Sequence, residues 1–211
     1  EDYLSFDGVN DWVNLGQINP TTKATLEVTI AANEIQNGDA RILGNWEYGG
    51  VGLYLESGYP KFGVYSEEQK AYVAISSGRK MTAGEKVTIK GVYDGTNMYL
   101  YVNDELVADR IIESTTLITP PRPTVPMTIG ANPTIDKNEE YAKFNLYSLK
   151  ISNDDGEIAS YDATNNTGSG HSDSATTWKD LTGSYDGTIN GATWSNDYLK
   201  FDGVDDYVTL G

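Results

Sequence analysis

Proton transfer, nucleophilic attack and ion binding each need particular side chains at particular spacings. The carboxylates that stand close together in this chain are immediate neighbours: Glu67–Glu68, Glu139–Glu140 and Asp154–Asp155–Gly156–Glu157. Hydrolysis of a glycosidic bond by two carboxylates needs both to flank the bond at a fixed separation. Adjacent side chains on a strand point to opposite faces, so these pairs read as solvated turns. His171 is the single histidine and sits in the polar run Thr164–Thr177, TNNTGSGHSDSATT. No serine or aspartate is spaced around it as a hydrolytic triad requires, and it reads as a solvated loop side chain. With no cysteine, thiolate nucleophiles, thiolate metal sites and disulfides are excluded. No catalytic residue is assigned, and the chain reads as a non-enzyme.

Binding chemistry has better material. Asp7, Asp11, Asp202, Asp205 and Asp206 supply hard oxygen ligands of the kind calcium takes. Asp7–Gly8 and Asp202–Gly203 read equally well as simple turns, so calcium stays open and no metal ligand is assigned. The aromatic residues point to a carbohydrate surface, which needs flat rings beside polar hydrogen-bonding groups. Trp46 and Tyr48 lie in the loop Asn45–Gly50, NWEYGG, and are expected to be exposed. Strand parity adds Tyr54, opposite the face of Val51, Leu53 and Leu55, and Tyr72, opposite Val73 and Ile75. It also adds Tyr99 and Tyr101, opposite Met98, Leu100 and Val102. Together these six residues are expected to line a ligand-binding sheet surface.

Short strands must position these groups. Thr25–Ala31, Val51–Leu55, Lys61–Tyr65, Lys70–Ile75, Lys86–Tyr93, Thr96–Val102, Val125–Gly130 and Lys143–Ser152 alternate apolar and polar residues or are rich in β-branched and aromatic types. Asp94–Gly95, Asn103–Asp104, Asn153–Gly156 and Asp186–Gly187 punctuate them as turns. Prolines at 120, 121, 123 and 126 remove ladder donors, so 114–124 is expected to be a long exposed connection or edge. Many short strands at such spacing predict an all-β sandwich or jelly roll.

The formal net charge of −16 leaves little to neutralise phosphates, which excludes nucleic acid and disfavours anionic membrane surfaces. No apolar run has membrane-spanning length, so no membrane insertion is expected. Glu1–Gly16 (EDYLSFDGVNDWVNLG) returns as Asn196–Gly211 (NDYLKFDGVDDYVTLG), eleven of sixteen positions identical at an offset of 195. An offset of domain size reads as one period of a tandem array plus an overlap.

Phe6–Gly16, Val92–Val107 (VYDGTNMYLYVNDELV) and Met127–Ile151 resemble successive motifs of laminin-G-like, concanavalin A-like jelly rolls. The bacterial varieties of surface, pilin-like and prophage structural proteins are the most similar. Asn103–Asp104 stands where that family usually has Asn-Gly or Asp-Gly, and Phe144–Asn145 where Phe-x-Gly is common. The resemblance implies a non-catalytic module of extracellular, cell-surface or virion-surface location, often holding calcium. The glutamate-rich strand motif of the family's glycanases is missing from the sequence.

The expected architecture is an all-β antiparallel sandwich of concanavalin A-like jelly-roll type. Residues 1–160 form the body with its opening FDG strand. Residues 161–211 form the opening section of a following repeat, docked in cis or on a neighbouring chain. The expected role is adhesion or recognition of a glycan or surface protein. The alternative is a structural subunit of a filament or stalk, joined head to tail with other copies through the repeated strand.

Overall fold

The structure, a computed structural model, describes residues 1–66, 68–112, 118–196 and 207. Glu67, the start of the 114–124 connection, Leu199 and most of the second FDG element, including Asp202, Asp205 and Asp206, lie outside the described residues.

The chain opens with β1 (Asp2–Asp7), β2 (Trp12–Asn14), β3 (Ala24–Ala32), β4 (Asp39–Gly44), β5 (Val51–Glu56), β6 (Tyr59–Ser66) and β7 (Ala71–Ser76). It continues through β8 (Lys86–Tyr93), β9 (Asn97–Val102), β10 (Glu105–Ile111) and the short β11 (Thr128–Ile129), β12 (Asn132–Pro133) and β13 (Asn138–Glu139). The last strands are β14 (Lys143–Asn153), β15 (Gly156–Asp162), β16 (Thr177–Trp178), β17 (Gly187–Asn190) and β18 (Thr193–Asn196). Among the described residues one 3₁₀ turn, Ala163–Asn165, interrupts them.

Two antiparallel sheets pack face to face, as the sequence predicts. The first runs β10-β9-β8-β3-β14-β1-β18, with β15 beside the far half of β14; the second runs β16-β17-β2-β11-β4-β5-β6-β7. Period-2 burial explains most of the pairing, with a change of phase at the β14 bulge between Leu146 and Ser148. In β3, Leu26, Val28 and Ile30 face inward; in β8, Val87 and Ile89 do; in β14, Phe144, Leu146, Leu149 and Ile151 do. From the other sheet come Val51, Leu53, Leu55, Phe62, Val64, Val73 and Ile75. Each such side chain contributes roughly 1.5–3 kcal/mol on leaving water. The faces interdigitate where a side chain is missing: a Cβ on Gly91 would stand 2.9 Å from Cβ of Phe62 on the facing sheet.

The Asn103–Asp104 hairpin joins β9 to β10 without glycine. Both residues have positive φ, 51° and 63°, the type I′ geometry that suits twisted strands and that Asn and Asp tolerate. Asn103 Oδ1 also accepts the Thr88 amide at 2.9 Å.

Both halves of the first FDG element are in sheets. β1 pairs with β14 and β18, and β2 pairs with β11 and β17. Residues 161–196 therefore close onto residues 2–14 of the same chain. An aromatic series joins them, Tyr161 to Trp178 at 5.6 Å and Trp178 to Trp194 at 5.1 Å. Asp180 ties the turn below, accepting the amides of Ser160, Thr182, Ser184 and Tyr185.

His171 differs from expectation. It is not solvated: its side chain is 17% exposed, Nδ1 lies 2.7 Å from the Ala163 carbonyl and Nε2 2.9 Å from Asp173. The ring also meets Trp194 edge-on, so it serves as a clasp. The proline-rich connection is not wholly exposed either. Ile118, Thr119, Pro121 and Val125 are buried, and the backbone of Thr119 and Arg122 bonds to Gly50 and Glu47.

Candidate functional site

Parity along the second sheet's outer face brings Asp39, Arg41 and Gly44 of β4 beside Tyr54 and Gly52 of β5. Beyond them stand Lys61, Gly63 and Tyr65 of β6, then Tyr72 and Ala74 of β7. Gly44, Gly52, Gly63 and Ala74 pair in sequence across the four strands and leave a shallow trough. Trp46 fills it. A Cβ on Gly63 would collide with the indole ring, and one on Gly52 would lie 3.5 Å from its Nε1.

The Asn45–Gly50 loop lays the indole there. Asn45 is buried; its Oδ1 accepts the Val51 amide, and its Nδ2 donates to Ile18 O and Asn19 Oδ1. Gly50 turns at φ +80°, where a Cβ would strike Asn45. Trp46 is thus 7% exposed, contrary to the exposed loop tryptophan the sequence suggests.

Around the indole stand Tyr54 at 5.0 Å and Tyr72 at 4.6 Å, with Tyr65 edge-on to Tyr72 at 5.1 Å. The Arg41 guanidinium carbon lies 4.6 Å from the Trp46 ring centre and 4.5 Å from that of Tyr54. Its Nε donates to Glu140 at 2.6 Å and its Nη2 to Asp39 at 2.9 Å. Burial, opposed by Arg41, pushes the Tyr54 hydroxyl up to about 12, so it remains a neutral donor near pH 7. Burial likewise raises Asp39 against the pull of Arg41, and raises Glu47 with help from Glu139. Tyr72 is raised by burial although the Gly49 and Tyr48 amides point at its oxygen.

Among the described residues, the buried side-chain nitrogens or oxygens without a hydrogen-bond partner are Arg41 Nη1 and Trp46 Nε1. Both are donors in this cluster. A buried donor left unpaired costs about 1–3 kcal/mol, and such atoms in native proteins call for an explanation. Both lie beneath the surface of the cluster, so an acceptor completes the pair only by entering it.

The six sequence-selected residues do not form one surface. Trp46, Tyr54 and Tyr72 cluster on the second sheet. Tyr48, 67% exposed with φ 45°, stands on the loop beside them. Tyr99 and Tyr101 lie on β9 of the other sheet, where Tyr99 bonds Asp94 and Tyr101 lies under Lys90. Alternation assigns a face, not a sheet. Arg41, Asp39, Lys61, Tyr65 and Glu140 are site residues that the sequence reading lacked. Parity with Gly63 on β6 would have found Tyr65. Glu140 is no solvated turn carboxylate, because Arg41 holds it.

No group of three or more His, Asp or Glu side chains able to hold a metal stands together among the described residues. Asp7 Oδ1 accepts the amides of Val9 and Asn10, and Asp11 Oδ2 accepts that of Asp7, so both are committed to the turn. A separate cleft between the sheets, lined by Met81, Val87, Val102 and Val107, encloses about 80 Å³. That falls well short of the several hundred Å³ usual for ligand pockets. Among the described residues no helix is long and apolar enough to cross a membrane.

A family profile described as the concanavalin A-like lectin/glucanases superfamily matches residues 7–155. Among solved structures, a candidate carbohydrate-binding protein from Bacteroides ovatus ATCC 8483 superposes with a TM-score of 0.70 at 14% identity. The match covers 92% of this chain and 59% of that one, so the chain spans about three fifths of that relative's length. The CBM40 of the Ruminococcus gnavus IT-sialidase, bound to α2,3-sialyllactose, gives 0.58 at 11% identity, covering 72% and 90%. Domains LG4-5 of the mouse laminin α1 chain give 0.56 at 14%, covering 72% and 41%. No curated protein matches the sequence.

Proposed function

Because the chain belongs to the concanavalin A-like lectin/glucanases superfamily, we propose that it is a non-catalytic extracellular module that binds a glycan on the outer face of its second sheet. The observation that carries this reading is the pair of buried, unpartnered donors, Arg41 Nη1 and Trp46 Nε1, in a cluster edged by exposed aromatic rings. Tyr72 and Tyr48 are 40% and 67% exposed and offer ring faces to the apolar side of a sugar. Asp39, Glu140 and Glu47 offer acceptors to its hydroxyls. Two of the similar structures are named for carbohydrate binding, which supports the same ligand class.

Charge narrows the class. Arg41 and Lys61 face Asp39, Glu56 and Glu140, with Lys61 paired to Glu56. The cations are already compensated, which favours neutral glycans over sulfated ones. Asp39 and Glu140 are both engaged by one arginine and so do not act as an acid–base pair.

The test is a glycan array with the parent chain and with Tyr48→Ala and Tyr72→Ala. The reading expects neutral oligosaccharide hits that both variants lose while their unfolding curves stay unchanged. Hits that survive both substitutions would overturn it, as would capture of a protein partner through this face with no glycan bound.

A further inference from the structure

The cleft between the sheets is too small for an oligosaccharide, but its size and the charges at its mouth suit a smaller ligand. Its apolar lining comes from both sheets: Pro60 of β6 and Met81 after β7 on one side, Val87 of β8, Val102 of β9 and Val107 of β10 on the other. Pro60, Met81 and Val87 are buried, whereas Val102 and Val107 are half-buried, so the apolar floor is reached past a partly open wall. Val107 is the bulged residue of β10, where the register to β9 slips between Leu106 and Ala108. A bulge re-aims a side chain, and this one adds Val107 to the cleft.

Both walls are fixed by hydrogen bonds of their own. On one side the Met81 amide donates to the Gly58 carbonyl at 2.9 Å and the Ser77 amide to the Pro60 carbonyl at 2.8 Å. Ser77 Oγ tightens that turn by accepting the Arg79 amide at 3.0 Å. On the other side the Asn103 amide donates to the Thr88 carbonyl at 2.8 Å, and the Thr88 amide returns the bond to Asn103 Oδ1. Walls already held in place spare a ligand the cost of ordering them.

Volume and charge define the ligand. The enclosed 80 Å³ is roughly half of the cavity that takes a benzene ring, which leaves room for about three or four carbon atoms. Four charged side chains line the same cleft: Arg79, Lys80, Glu85 and Glu105. Arg79 and Glu85 satisfy each other at 2.6 Å. Lys80 and Glu105 are exposed, and among the described residues neither has an ion-pair partner. A free cation and a free anion beside a short apolar slot are complementary to a zwitterion with an aliphatic side chain.

We propose that this cleft binds a free aliphatic α-amino acid of the size of valine or leucine. The side chain enters between the sheets against Met81, Val87 and Val107, Lys80 meets the α-carboxylate, and Glu105 meets the α-ammonium. The inference is independent of the glycan reading, because Trp46 and Arg41 lie on the outer face of the second sheet and the cleft lies between the sheets.

The test follows the methyl resonances of Met81, Val87, Val102 and Val107 by NMR while the chain is titrated with L-leucine, leucine amide, N-acetyl-leucine and L-phenylalanine. L-Leucine is expected to saturate with a Kd on the order of 1 mM. The amide and the N-acetyl compound each lack one charge and are expected to bind about fivefold more weakly, and phenylalanine, whose ring exceeds the slot, is expected not to bind. Val107→Phe fills the slot and is expected to abolish leucine binding. Lys80→Met is expected to weaken leucine and N-acetyl-leucine but not leucine amide, and Glu105→Gln to weaken leucine and leucine amide but not N-acetyl-leucine. The proposal is overturned if leucine gives no saturable shift, if phenylalanine binds as well, or if the two charge variants weaken all three leucine compounds alike. Tighter binding of N-acetyl-leucine than of leucine also overturns it, since the occupant is then the C-terminus of a chain.

Discussion

The Arg41 guanidinium stacks on Trp46, its carbon 4.6 Å from the indole centre, while the other face of the indole rests over Gly52 and Gly63. The tryptophan is thereby covered on both sides. It acts as the floor of the outer-face cluster rather than as a stacking platform, and the exposed rings of Tyr72 and Tyr48 are left to meet a ligand. Arg41 in turn is held by Asp39, two residues before it on β4, and by Glu140 in the loop after β13.

Arg41→Ala removes two ring contacts and leaves Asp39 and Glu140 without their cation. A partly desolvated cation–π contact is worth about 1–2 kcal/mol, and breaking a buried pair costs more than its net value. The expected loss is about 2–3 kcal/mol in urea unfolding, with a red shift of tryptophan emission as Trp46 is uncovered. Arg41→Lys is expected to recover little of it, since an ammonium cannot reproduce the planar fork.

Gly63→Val tests the floor. Its Cβ would overlap the indole, so Trp46 must leave the trough or the strands must shift. Overpacking of this kind costs about 1–3 kcal/mol. The indole N–H resonance of Trp46 is expected to move while those of Trp178 and Trp194 stay in place.

The His171 clasp carries a pH dependence. Burial disfavours its charge, but the Ala163 carbonyl, Asp173 and Asp2 outweigh that and raise it above its ordinary 6.5. The folded state therefore binds the proton more tightly. Its stabilisation is complete below about 6.5 and is lost as pH rises through the folded value. Denaturation midpoints of the parent are expected to fall over that interval, and His171→Gln is expected to flatten the dependence.

Asp180 shows the opposite sign. Burial alone would raise its carboxyl, yet hydrogen bonds from Thr182, Ser160 and Tyr185 hold it below 3.8. Its contribution is present above that value and is lost as pH falls through the lower folded one. Asp180→Ala strips acceptors from the amides of Ser160, Thr182, Ser184 and Tyr185. The expected cost is about 2–4 kcal/mol, measured by chemical denaturation.

Much of the sandwich could be read from alternation, because one-sided burial enforces period 2 on strands such as β8, whose bounds coincide with the expected Lys86–Tyr93. β4 escaped it. Asp39 and Arg41 look like surface polar residues, and a bulge between Arg41 and Leu43 breaks the pattern just where the site arginine sits. The burial of Trp46 depends on Gly52 pairing with Gly63, a relation visible only once the register is known. For the same reason the faces of Tyr54, Tyr72, Tyr99 and Tyr101 were legible, but their division between two sheets was not. The clasping role of His171 was hidden because, beside the neighbouring Asp173, its partners are the Ala163 carbonyl, Asp2 and the Trp194 ring, which only the fold brings to it.

The most direct test of the outer-face account follows the indole N–H of Trp46 and the guanidinium of Arg41 by NMR during titration with a neutral oligosaccharide. Binding at this face predicts that both unpartnered donors shift together and saturate with one affinity, and that Tyr72→Ala abolishes the effect. Saturable shifts confined to the opposite sheet around Tyr99, Tyr101 and Lys90, with Trp46 and Arg41 unmoved, would contradict it.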